Sequence, residues 1–172
     1  AEAFIIGEDF IDNDDVTLIL GDNIFYGSQI SKDLNRQLQK KCTGAKIFAY
    51  KVPDPQRYGV VEFDSNLSIL SIEEKPLNPK TSYAVTGLYV YDSKVCSLAK
   101  SLKPSDRGEL EITDLNNLYL KKGELNVSLL DSGTAWLDAG TPDSLIEAAH
   151  FVQTIQKRHS IQVGCIEEIA FN

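Results

Sequence analysis

The stretch VTLILGDN, residues 16–23, decides the fold class. Val16–Leu20 is a short, continuous apolar run rich in β-branched residues, the pattern of a strand covered on both faces. It stops at Gly21, Asp22 and Asn23. In open α/β sheets, ligands gather at the carboxyl ends of strands. A glycine that lets the chain turn tightly, followed by Asp22, would set a carboxylate where a ligand sits. Turn or capping chemistry also accounts for such an aspartate, and on spacing alone it is the readier reading. The stretch TAWLDAGT, residues 134–141, repeats the form, with Asp138 at the end of an apolar run and Gly140 two residues on. Two carboxylates at two strand ends could share one hard cation, and oxygen ligands without His or Cys favour magnesium over zinc.

Outward from these two stretches, strand and helix patterns alternate. Ser28–Lys41 carries Ile30, Leu34 and Leu38 at four-residue spacing, an amphipathic helix with Gly44 placed to end it. Ala45–Val52 reads as a strand, and PDPQRYG as a loop, because its prolines cannot sit in a ladder. Val60–Phe63 and Leu67–Ile72 predict a hairpin around DSN, followed by the polar loop EEKPLNPKTS. Tyr83–Tyr91 is a strand rich in Val and Tyr. Ser93–Leu102 and Ile112–Lys122 show helical faces, and Leu125–Leu130 with Thr134–Leu137 predict a second hairpin around DSG. In GTPDSLIEAAHF, Thr141 can cap, Pro142 suits the first helical position and Asp143 favours the positive end of the dipole. Leu145, Ile146, Ala149, Val152 and Ile155 should then face a core. The class is α/β with a mixed sheet.

The 172 residues suit one domain, and a formal charge of −8 without a basic block argues against nucleic-acid backbones and anionic membrane surfaces. No apolar run approaches the roughly 20 residues of a membrane span. Cys42, Cys96 and Cys165 are odd in number and widely spaced, so reduced thiols in a cytoplasmic protein are expected rather than a disulfide framework. The acidic group Glu8, Asp9, Asp12, Asp14 and Asp15 lacks EF-hand spacing and reads as solvated. The chain has no methionine and opens on AEAFIIGEDF, which reads as the tail of a helix; a processed chain or a fragment is expected.

Other residues carry weaker signals. Gly59 could admit a ligand close to the backbone. Glu74 could accept hydrogen bonds from sugar hydroxyls, and Lys75 could neutralise a phosphate, although EEK is also an ordinary solvated charge run. Arg107 has the fork that matches phosphate oxygens. Trp136 reads as core.

The segments LILGDNIFYG, DPQRYGVVEFD, SIEEKP, YAVTGLYVYD, LKPSDRGELEITDLN and AWLDAGTPDSLIEA occur in this order. Through essentially its whole length the chain resembles the bacterial sugar-nucleotidyltransferase family, and within it the members that transfer thymidylyl groups. The resemblance implies a Rossmann-like mixed sheet of the nucleotide-diphospho-sugar transferase type. It implies transfer of a thymidylyl group from dTTP to glucose 1-phosphate, giving dTDP-glucose and pyrophosphate on the route to dTDP-rhamnose. It implies Mg2+ held by Asp22 and Asp138, sugar-nucleotide contacts from Tyr58, Gly59, Glu74, Lys75 and Val85, and Arg107 near phosphate. It also implies a cytoplasmic homotetramer.

Members of that family begin with a glycine-rich G-G-x-G-T-R-L loop, followed by a lysine before a proline, and nothing here matches either. Residues 1–172 are therefore expected to be one domain, the C-terminal part of a catalytic region and roughly two-thirds of it. Taken alone they should show no thymidylyltransferase turnover. A non-catalytic sugar-phosphate-binding or regulatory homologue is the alternative. A regulatory nucleotide site between subunits occurs in several members, and the position of its basic residue is Asn172 here.

Overall fold

The computed structural model describes residues 1–27, 30–32, 34–35 and 41–171. Asn172 and most of the helix expected over Ser28–Lys41 lie outside the described residues. The elements are α1 (Glu2–Ile6), α2 (Glu8–Ile11), β1 (Val16–Ile19), β2 (Asn23–Tyr26), β3 (Ala45–Lys51), β4 (Gly59–Phe63), β5 (Ile69–Glu74), β6 (Tyr83–Tyr91), α3 (Val95–Lys100), α4 (Ile112–Lys121), β7 (Leu125–Leu129), β8 (Ala135–Asp138), α5 (Pro142–His159) and α6 (Ile166–Phe171). A single 3-10 turn, Pro55–Arg57, precedes β4.

β6 is the spine, because nearly every side chain in its Val/Tyr/Leu-rich run is buried. The main path runs β5-β4-β6-β3-β7, with β7 parallel to β3 and the other neighbours antiparallel. The second edge of β6 is shared. Leu88–Tyr91 take β1, while Ala84 takes β4. Side chains alternate across a strand, so the sheet feeds two cores. Ile47, Tyr89 and Tyr91 meet Phe4, Leu115 and Tyr119 on one face. Phe48, Leu88 and Val90 meet Ile30 on the other. Buried apolar surface on both faces, at about 25 cal/mol per Å2, is what holds the sheet.

The first hairpin forms as expected, with Asp64 Oδ1 accepting from the N–H groups of Asn66 (2.8 Å) and Ser68 (2.9 Å). The helix α5 starts as predicted. Thr141 Oγ1 accepts from Ser144 N–H, and the Ser144 hydroxyl accepts from Thr141 N–H, a complete capping box. Cys42, Cys96 and Cys165 are free thiols. Among the described residues no helix is long and apolar enough to cross a membrane.

Several expectations are corrected. β7 and β8 are not a hairpin. The DSG turn exists, with Asp131 Oδ1 accepting from Gly133 N–H and the Thr134 hydroxyl. β8 then leaves the main sheet and pairs antiparallel with β2. There the indole N–H of Trp136 finds an acceptor on Asn23 at 2.6 Å, the partner a half-buried indole needs. β1 is only partly covered, and Ile19 is 52% exposed. Along α5, Ala148 rather than Ala149 is buried, Phe151 meets Tyr26 edge-on at 5.7 Å, and Leu145 and Ile146 are each 56% exposed. The helix leans on β8, and three of the five residues expected to face a core, Leu145, Ile146 and Ala149, are exposed. Gly44 has φ +81, and a Cβ there would lie 2.1 Å from the Glu124 carbonyl oxygen. Close packing against Glu124, just before β7, requires glycine there, and the helix end that Gly44 was expected to close lies outside the described residues.

Candidate active site

The site begins where β1 ends. Leu20 N–H donates to the Gly87 carbonyl of β6, and Asn23 N–H donates back to the Leu20 carbonyl at 3.1 Å. This closes a β-turn with Gly21 and Asp22 at its centre. Gly21 has no left-handed backbone, and a Cβ there would meet nothing within 4 Å; the turn itself does not require glycine. Gly87 does need to be glycine. A Cβ at that position would come within 2.6 Å of the Asn23 side chain, which packs across β6. There the Asn23 side-chain oxygen accepts from Gly87 N–H at 3.0 Å.

β2 leaves this turn and meets β8, with Asn23 opposite Asp138. Ala139 N–H donates to the Asp22 carbonyl at 2.7 Å, locking the two strand ends together. The carboxylates converge. A Cβ added to Gly140 would lie 3.2 Å from Asp138 Oδ1 and 3.3 Å from Asp22 Oδ2, so glycine keeps the space between them open. Among the described residues no cationic side chain pairs with either carboxylate, and no three or more His, Cys, Asp or Glu gather into a metal cluster. Two hard oxygens facing one gap fit magnesium, which binds through one or two carboxylates and keeps water or phosphate in its remaining positions.

A cavity of about 220 Å3 opens beside the pair. Asp22, Tyr58, Gly59, Glu74, Lys75, Val85 and Asp138 all line it, which brings together seven of the eight residues singled out in the sequence. β4 and β5 supply one wall, with Gly59 opposite Glu74. Thr113 at the start of α4 donates its hydroxyl to Glu74 Oε2 at 2.5 Å and fixes that carboxylate. Lys75 follows β5 with φ +42, a left-handed conformation that costs a non-glycine residue about 1–2 kcal/mol. Its N–H donates to the Tyr58 carbonyl at 3.0 Å. This hydrogen bond holds the kink that sets Lys75 on the cavity wall. The Tyr58 and Trp136 rings lie 5.0 Å apart and form an aromatic corner. Burial pushes the Tyr58 and Tyr89 hydroxyls up from the ordinary phenol range, so both stay neutral.

Arg107 stands apart from the other seven. It does not line the cavity, and its guanidinium grips Glu111 at 2.8 Å, with Glu109 at 3.7 Å and Glu74 at 3.9 Å. The hydrogen bonds it donates to the Glu111 carboxylate are the leading cause of its raised pKa. Arg57 was not singled out in the sequence, yet it lines the cavity, stacks 5.4 Å over Tyr58 and is held by Asp54 at 3.0 Å. Asn23, Gly87, Thr113 and Trp136 are also new to the site. Gly87 carried a readable signal, since an isolated glycine inside a Val/Tyr-rich strand marks close backbone approach. Thr113 carried none.

A model of the family described as nucleotidyl transferase matches residues 1–155. The chain belongs to the nucleotidyl transferase family. It is 57% identical over 171 residues to glucose-1-phosphate thymidylyltransferase of Neisseria gonorrhoeae, covering 99% of this chain and 59% of that one. It is 54% identical to the enzyme of the same name from Mycolicibacterium smegmatis, again over 99% of this chain and 59% of the relative. The chain thus spans 59% of the length of these curated relatives. A Bacillus anthracis crystal structure, of a protein assigned as a glucose-1-phosphate thymidylyltransferase and complexed with a sucrose, superposes with a TM-score of 0.77 at 50% identity, over 88% of this chain and 59% of that chain. UDP-glucose pyrophosphorylase superposes at 0.74 with 21% identity, over 88% of this chain and 61% of that one, a likeness of fold alone. The fold is the mixed α/β sheet of the nucleotide-diphospho-sugar transferases.

Proposed function

We propose that this chain carries the sugar-phosphate pocket and the cation pair of a glucose-1-phosphate thymidylyltransferase, the C-terminal part of its catalytic domain. The reaction joins dTTP to glucose 1-phosphate, gives dTDP-glucose and releases pyrophosphate. The product feeds dTDP-rhamnose and cell-surface polysaccharide synthesis, and the parent enzyme works as a cytoplasmic homotetramer. The observation that carries this reading is the convergence of Asp22 and Asp138 on the gap at Gly140, beside a cavity walled by Glu74 and Lys75.

A sugar-phosphate oxygen attacks the α-phosphorus of the nucleotide while pyrophosphate leaves in line. A bound Mg2+ would supply positive charge between two anions that otherwise repel. The chain's own residues position the reactants. Asp22 and Asp138 would hold the ion. Lys75 presents an ammonium to the phosphate. Glu74, fixed by Thr113, accepts from a sugar hydroxyl, and Gly59, whose missing side chain leaves the Glu74 and Thr113 oxygens clear, lets the hexose approach. Tyr58, Val85 and Trp136 cover its apolar faces. Arg107 approaches phosphate only by exchanging its carboxylate partners. No covalent intermediate is needed.

The test is turnover of the full-length gene product against four nucleoside triphosphates and several hexose 1-phosphates. Preference for dTTP with glucose 1-phosphate supports the reading, and preference for another pair overturns it. The 172 residues alone should bind glucose 1-phosphate without turnover.

A further inference from the structure

Asn23 touches both Asp22 and Trp136, and nothing in the reaction as described uses it. Its amide oxygen accepts two hydrogen bonds, from the Trp136 indole N–H at 2.6 Å and from Gly87 N–H at 3.0 Å. This fills both lone pairs of that oxygen. The two donors fix which end of the amide is oxygen, so the NH2 end must point the other way. It donates to Asp22 Oδ1 at 2.8 Å. Asp22 Oδ1 is thereby held, and Oδ2 is the oxygen that faces Asp138 across Gly140. Two structural devices serve this one contact. Gly87 has no side chain where Asn23 crosses the sheet, and β8 leaves β7 to bring Trp136 opposite Phe25, beside it.

We propose that Asn23 is a positioning residue: it orients the Asp22 carboxylate for a divalent cation and couples occupancy of that cation site to Trp136 in the wall of the sugar pocket. The proposal rests on the cation reading given above. Hydrogen-bonded partners of metal ligands commonly matter 10–100-fold in metal affinity. A link from ligand to pocket wall means that the ion and the sugar phosphate favour one another's binding, because each selects the same arrangement of Asn23.

The test titrates Mn2+ alone into the 172-residue chain, reading free Mn2+ by electron paramagnetic resonance. It also titrates Mg2+ while following the emission of Trp136, the chain's one tryptophan. The native chain should bind one Mn2+, and Asp22→Asn should lose it. Asn23→Ala should weaken it about 10–100-fold with unchanged circular dichroism, and should remove the Mg2+-dependent shift in emission. Trp136→Phe keeps the ring but lacks the N–H donor, and should weaken Mn2+ several-fold; it carries the test if Asn23→Ala fails to fold. Native affinity in N23A, or in W136F where N23A is unfolded, with D22N still blind to Mn2+, overturns the positioning role and leaves the cation site standing. A native chain whose Mn2+ binding does not depend on Asp22 overturns the cation reading, and this proposal with it.

Discussion

Two aspartates follow strands at opposite ends of the same sheet, and their surroundings differ completely. Asp92, after β6, is 5% exposed, and both of its oxygens are engaged. Oδ1 accepts from the Tyr119 hydroxyl at 2.9 Å and Lys94 N–H at 3.1 Å, while Oδ2 accepts from Gly44 N–H at 3.0 Å and faces the Lys94 ammonium at 3.4 Å. It ties the start of β3, the end of β6 and α4 into one knot. Asp22, after β1, is exposed. One of its oxygens is held by Asn23 and the other is turned toward a second acid. A carboxylate satisfied on every side serves the fold. A carboxylate left half-satisfied beside another of like charge is a cost that a bound cation removes.

Substitution should separate the two ends. The largest effect belongs to Asp22→Asn or Asp138→Asn in the full-length gene product: turnover should fall about 10²–10³-fold, the usual scale for losing one electrostatic element of a site, with the melting temperature unchanged. Loss of stability instead would put Asp22 in the class of Asp92.

Asp92→Asn should do the reverse. Placing an NH2 against donors that now point at a carboxylate should destabilise the chain by about 2–3 kcal/mol in urea unfolding, with Mn2+ binding preserved.

The pH dependence sharpens the contrast. Burial works against ionisation of Asp92, but the hydrogen bonds from Tyr119, Gly44 and Lys94 prevail and hold its carboxyl below the ordinary range. Its stabilising contribution is therefore complete above the unfolded value of about 4 and is lost as pH falls through the lower folded value. Unfolding curves below about pH 4 should flatten in Asp92→Asn relative to the native chain.

The smallest effect is expected at Lys75→Gly. Relief of the left-handed backbone should raise stability by about 1 kcal/mol, while binding of glucose 1-phosphate weakens. A fall in stability would mean that the strain at Lys75 is offset by contacts of its own.

Local pattern made much of this legible in the sequence. β6, α4, the first hairpin and the capping box at Thr141 follow from periodicity and from side chains that bond within a few residues. Both GD and LDAG put their acids at strand ends. Pairing over long distance was not legible. Nothing near Trp136 announces that β8 pairs with β2, because the bond that rewards it reaches Asn23, 113 residues away. The stripe on α5 was visible as a stripe, but its docked edge, Ala148 and Phe151 rather than Leu145 and Ile146, depends on where β8 ends. Asn23 was passed over for the same reason: its value lies in three partners, two of them remote. Arg107 showed its fork but not the three glutamates that surround it.

The most direct test of the account is an anomalous difference map from crystals of the chain soaked with Mn2+ and glucose 1-phosphate. One peak is expected between Asp22 and Asp138, with the hexose against Glu74 and Lys75. A sugar phosphate bound in the cavity with Mn2+ elsewhere, or with no Mn2+ at all, would contradict it.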